Sequence, residues 1–228
     1  MVGGSPSSIK QVYKKLFSHY GSQHWWPGDT PFEVMVGAIL TQNTAWTNVE
    51  RAISNLKSHS CLTPQAILAA PVTDLATWLT PSGYFNIKAQ RLRNYCQWYV
   101  NAGEFAILSD DDTDVLRKKL LAVNGVGQET ADDILLYAFS RPVFVIDAYT
   151  RRLFSRLRLV DKDATYEALR QRFEKSLKED ALLFNEYHAL IVRHAKQVCK
   201  KRPSCGSCCL IGVCPSSELK AAPVGQTS

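Results

Sequence analysis

The sequence predicts an all-α protein. Apolar residues recur at helical spacing almost throughout, and Pro, Gly and Ser punctuate the intervals between the periodic stretches. The one strand-like piece, residues 143–146, is too short to argue for a sheet. Residues 9–19 open the series, with Ile9, Val12, Tyr13, Leu16 and Tyr20 near one face. Residues 32–40 are strongly apolar, as a central buried helix would be. Segments 48–59, 64–70, 73–79 and 87–102 follow. Residues 113–121 begin after an Asp-rich stretch suited to an N-cap and to the positive end of the helix dipole. Segments 129–139, 148–157, 165–177 and 182–198 complete the set. Residues 1–8 and the tail from about Pro215 carry few large apolar groups and are expected to be disordered.

A chain of 228 residues can bury a proper core as one large domain or two small lobes. A hydrophobic share of 46% with 21% charged residues is ordinary for a water-soluble protein. Twenty-seven Lys and Arg against 21 Asp and Glu give +6, which suits a polyanionic partner, although a solvated Lys-rich face would give the same sum. No apolar run reaches the roughly 18 residues of a membrane span. The first residues, MVGGSPSSIKQVYKKLF, lack the apolar core of a secretory signal. A cytoplasmic location is expected, nucleoid-associated in a bacterium, with no membrane partner. In that reducing compartment the seven cysteines are not a disulfide framework.

Four of them form the run Cys199-x5-Cys205-x2-Cys208-x5-Cys214, which can surround one metal centre unaided. An iron–sulfur cluster and zinc both fit that spacing. Cys209 reads as a bystander, and Cys61 and Cys96 as small core residues. The loop after Cys199 carries Lys200, Lys201 and Arg202, either a phosphate clamp or a solvated face.

Residues 120–131, LLAVNGVGQETA, place a glycine turn between two helices. Gly125 and Gly127 permit backbone angles closed to other residues and leave amide N–H groups bare at a helix start, where a phosphate oxygen binds well. Such contacts position a protein on the nucleic-acid backbone without reading bases. About twenty residues later comes VFVIDAYTRR, in which Asp147 ends an apolar stretch and opens a basic helix. Asp147 reads as an N-cap or as a functional carboxylate, and one residue can be both. Arg151 and Arg152 would then meet phosphates.

Hairpin, spacer and Ile146-Asp147-Ala148-Tyr149-Thr150-Arg151-Arg152 together resemble the helix-hairpin-helix/Gly-Pro-Asp superfamily of DNA glycosylases, in its endonuclease III-like branch. Residues 37–44 (GAILTQNT), 83–89 (GYFNIKA) and 187–192 (YHALIV) add to the match, which runs from about Trp25 to Cys214. The resemblance implies two helical lobes. Residues 32–141 would form a six-helix barrel with the hairpin at about 113–140, and residues 1–31 with 142–228 a lobe holding the cysteine loop. It implies a monomer acting on duplex DNA that contains a damaged base, with Asp147 as the catalytic carboxylate at a cleft. It favours a [4Fe–4S] cluster on Cys199, Cys205, Cys208 and Cys214 over zinc, although this branch usually has six residues in the first gap, not five. Gln42 would fill the gap left by a flipped base, or else bond to backbone at its helix end. Lys88 would meet a phosphate or solvent.

Lyase-competent members of this branch place a lysine two residues after the second hairpin glycine, and its amine forms a Schiff base. Here that residue is Glu129, which cannot, so a monofunctional glycosylase leaving an abasic site is implied. Glu129 itself reads as a first-turn acid without a catalytic role. No second acid is evident to protonate a leaving base, which favours a base that departs easily, such as a cationic N-alkylated purine. His24-Trp25-Trp26-Pro27 and Trp46 would line the base pocket, where aromatic faces stack on an extruded base and attract a cationic one. Core packing is the other use of such tryptophans. The Trp-Trp-Pro run resembles bacterial 3-methyladenine DNA glycosylases of the endonuclease III type. A glycosylase for oxidised or deaminated pyrimidines or mispaired thymine, and a non-catalytic DNA-binding relative, remain the alternatives.

Overall fold

The structure, a computed structural model, describes residues 8–25 and 28–217. The disorder expected of residues 1–7 and of the tail from 218, and the pocket roles expected of Trp26 and Pro27, lie outside the described residues. In chain order the α-helices are α1 (Ile9–Tyr20), α2 (Pro31–Leu40), α3 (Trp46–Ser58), α4 (Pro64–Ala69), α5 (Val72–Trp78) and α6 (Phe85–Asn101). They continue as α7 (Glu104–Leu108), α8 (Thr113–Leu121), α9 (Gln128–Asp133), α10 (Ala148–Arg156), α11 (Tyr166–Ser176) and α12 (Ala181–Gln197). No strand forms among the described residues. The chain divides into two compact units, residues 26–141 and residues 1–25 with 142–228.

In unit 26–141, α2 is the buried helix that its composition predicts, with Val34 to Leu40 all in the core. Thr30 caps it through the Glu33 amide, and Pro31 takes the first turn, where its missing N–H costs nothing. Glu33 is the polar exception; its carboxylate meets Lys57 of α3 at 2.8 Å. The Trp46 ring at the start of α3 lies 3.1 Å from where a Cβ would stand on Gly37, so a side chain there would have to push the ring back by a few tenths of an ångström.

The helices α8 and α9 form the hairpin, and α9 widens into a π-helical turn over Ile134–Ala138 that is entirely buried. Asp132 of α9 is fully buried and takes a two-point ion pair from Arg117 of α8, Nε–Oδ1 2.6 Å and Nη2–Oδ2 3.2 Å. That pair braces the hairpin's two arms.

In the other unit, α1, α10, α11 and α12 enclose an aromatic core. Phe144 stacks on Phe173 and meets Phe184 and Tyr187 edge-on, and Phe154 packs edge-on to Phe173. The Tyr187 hydroxyl donates to the Ile9 carbonyl at 2.6 Å, tying α12 to the start of α1. Residues 143–146 are extended and at most 2% exposed, yet they pair with no strand among the described residues. Side chains take the amides instead: Phe144 N donates to Glu174 Oε1 at 3.0 Å and Ile146 N to the Tyr166 hydroxyl at 3.4 Å.

Candidate active site, hairpin and cysteine centre

Asp147 stands where the extended segment turns into α10. Its Oδ1 accepts the Thr150 amide at 2.7 Å, the bond of an N-cap. Its Oδ2 lies 3.5 Å from Nε2 of His188 on α12. Burial pushes this carboxyl up, but the hydrogen bond and charge of His188 and the Thr150 bond outweigh it and hold it below the usual aspartate value. At neutral pH the group is therefore a carboxylate, fit to stabilise positive charge or to accept a proton and unfit to donate one. The Trp25 ring stacks on His188, 6.1 Å between centroids and 24° between planes. Trp25, His188 and Asp147 thus form one continuous constellation within this unit.

In the sequence His188 is only one letter of a matching apolar segment, and no role follows from it there. The folding of α12 against the start of α10 is what brings it to Asp147. Replacing His188 with leucine removes the strongest opposition to burial. The Asp147 carboxyl then protonates at higher pH, so the acid limb of the base-release profile is expected to move toward neutrality. A pH–rate series on the two proteins reads this directly, and an unmoved limb would show that His188 does not hold the charge on Asp147.

The helix after Asp147 uses its arginines internally. Arg151 is half-buried, with Nη1 donating to the Ala164 carbonyl at 2.8 Å. Arg152 reaches the Cys199 and Ala195 carbonyls and lies over the Tyr149 ring. Both arginines are half-buried and spend part of their donors on main-chain carbonyls of this unit.

In unit 26–141 the hairpin glycines part company. Gly125 has φ +97, and a Cβ there would collide with Arg91 Cγ, so glycine is required. Gly127 is extended, at φ −92 and ψ 178, a conformation open to any residue. This corrects the paired requirement expected from sequence. Gly127 is instead the N-cap of α9, where no side chain caps the first amides. Gln42 lies against this turn: Nε2 donates to the Gly125 carbonyl at 3.1 Å and to Thr130 Oγ1 at 3.0 Å, and Arg91 Nη1 donates to Oε1. Glu129 is exposed and lines a polar hollow with Thr41, Gln42, Asn43, Thr130 and Asp133.

Lys88 contradicts its expected role. It is 1% exposed, and Nζ donates to the carbonyls of Leu40, 2.9 Å, and Ser82, 2.6 Å. Those carbonyls end α2 and the 3-10 turn Thr80–Ser82, and helix C-termini attract a cation. The ammonium is thereby drawn away from any phosphate. Burial, with Arg91 beside it, brings its pKa down to about 8.

The four cysteines of the run line one cavity, together with Leu153, Leu157 and Leu210. Arg156 Nη1 donates to Cys199 Sγ at 3.2 Å and to the Lys200 carbonyl at 2.6 Å, and His194 Nε2 stands 3.6 Å from Cys208 Sγ. Among the described residues no three His, Cys, Asp or Glu converge as one bound ion would require. Lys200, Lys201 and Arg202 are exposed on the loop that Arg156 holds. Trp46 is half-buried against Gly37, as described.

Residues 36–179 match the HhH-GPD superfamily base excision DNA repair protein family. A Methanocaldococcus jannaschii protein, MJ1434, provisionally named a DNA repair glycosylase, is 48% identical over 212 residues, covering 91% of this chain and 96% of its own. The structure of Helicobacter pylori 3-methyladenine DNA glycosylase bound to 1,N6-ethenoadenine superposes with a TM-score of 0.72 at 29% identity, covering 84% of this chain and 98% of that one. A non-covalent endonuclease III–DNA complex gives a TM-score of 0.80 at 20% identity, covering 93% of this chain and 96% of that one.

Proposed function

The chain belongs to the HhH-GPD superfamily of base excision DNA repair proteins, and from that premise we propose that it is a monofunctional DNA N-glycosylase that releases alkylated purines from duplex DNA. The observation that carries this is the buried Asp147, bonded by Thr150 and paired with His188, partners that hold its carboxyl below the usual aspartate value. As the glycosidic bond breaks, positive charge grows on the deoxyribose, and a fixed carboxylate stabilises it and orients or deprotonates the attacking water. An Asp held as carboxylate cannot protonate the leaving base, so a base that already carries positive charge suits it best. Trp25, stacked on His188, offers an aromatic face for such a base. The likeness to the Helicobacter pylori 3-methyladenine enzyme supports the same substrate class.

Glu129 at the position of the lyase lysine supports hydrolysis without strand cleavage, because a carboxylate forms no imine. The hairpin amides before α9 and the exposed Lys200, Lys201 and Arg202 would meet phosphates. Cys199, Cys205, Cys208 and Cys214 would hold a [4Fe–4S] cluster; four thiols around one apolar-lined cavity fit the all-thiolate donor set that such a cluster takes. Held there, a cluster would tie the loop between Cys199 and Cys205 and serve structure, while Asp147 serves bond cleavage. The test of the monofunctional reading is borohydride trapping beside alkali treatment. Strand breaks that appear only after alkali, with no trapped protein–DNA adduct, are expected; a trapped adduct contradicts it.

A further inference from the structure

We propose that Lys88 is a positioning residue that joins the Gln42 turn and the Tyr84 turn into one rigid edge for distorting DNA, an inference that rests on the DNA-handling reading above. Lys88 sits in the first turn of α6, and its ammonium bonds Leu40 O, two residues before Gln42, and Ser82 O, two residues before Tyr84. It is a buried cation that donates to main-chain carbonyls on two different segments. Burying an ammonium is costly unless it is well bonded, so a merely space-filling position would favour an apolar side chain. One turn later on α6, Arg91 donates to the Gln42 side chain, so the same helix grips the Gln42 turn at two points.

The second turn carries its own sign of function. Tyr84 is 69% exposed and held at φ +47, a conformation that costs a non-glycine residue energy. Phe85 and Ile87 beside it are also exposed. An exposed, strained aromatic suits insertion between bases, where apolar groups unstack a step, and the two Lys88 bonds bring its turn and the Gln42 turn within reach of one ammonium. Lys88 fixes the spacing between the two.

The test uses a duplex with a tetrahydrofuran abasic analogue facing 2-aminopurine, whose fluorescence rises when stacking is lost. Wild-type protein is expected to raise the signal. Lys88→Met is expected to lose most of that rise while binding undamaged duplex as well as wild type. In a Gln42→Ala or a Tyr84→Ala background, each of which keeps part of the rise, Lys88→Met should remove less than it does in the wild type, and unchanged binding of undamaged duplex separates this from general destabilisation. Should the Met variant fail to fold, Lys88→Gln carries the same comparison. A full fluorescence rise in a folded Lys88 variant, or losses that add in the double variants with Gln42→Ala and Tyr84→Ala, overturns the inference. A wild-type chain that leaves the signal unchanged sinks the DNA-distortion reading along with it.

Discussion

Asp147→Asn is expected to reduce base release by at least about a hundredfold, the scale seen when one preorganised electrostatic group is removed from a transition state. Asparagine caps a helix as well as aspartate, so the Thr150 amide keeps its acceptor and α10 keeps its start. What is lost is the charge that faces His188 and would face the sugar. DNA affinity should be unchanged or slightly higher, since one negative charge has gone. Single-turnover release beside a binding titration separates the two effects. Loss of binding in parallel with turnover would mean that Asp147 acts on the fold and not on the reaction.

Arg117→Met is expected to carry the largest cost in stability. Asp132 has a fully buried side chain and Arg117 is 11% exposed, so the change removes the cation that offsets a carboxylate in the core. Breaking one side of a buried pair costs about 3–5 kcal/mol. For a chain of this size that lowers the melting temperature by roughly 6–20 °C. Replacing both partners with apolar residues should recover much of the loss, because no charge of the pair then remains buried. Thermal melts of the single and double variants check this. A single variant as stable as wild type would show that the hairpin's arms do not need this brace.

The fold class was legible because periodicity along single segments is a local signal. The N-cap place of Asp147 was legible for a related reason: the apolar stretch, the acid and the following helix are adjacent in the chain. His188 was not, since 41 residues separate it from Asp147 and nothing in its own segment marks the pairing. The Arg117–Asp132 pair bridges the hairpin and is invisible until the arms fold back on each other. The place of Lys88 was not legible, since a lysine in the first turn of a helix suits a phosphate or solvent, and only the carbonyls ending α2 and the 3-10 turn explain its burial. The extended residues 143–146 have strand-like composition, but the side chains of Glu174 and Tyr166 serve their amides in place of a neighbouring strand.

The most direct test is chromatography of free base released from duplexes that each carry one defined lesion. The account predicts release from alkylated-purine DNA by the wild-type chain and none by Asp147→Asn. Release confined to oxidised or deaminated pyrimidines, or equal release by the two proteins, would contradict it.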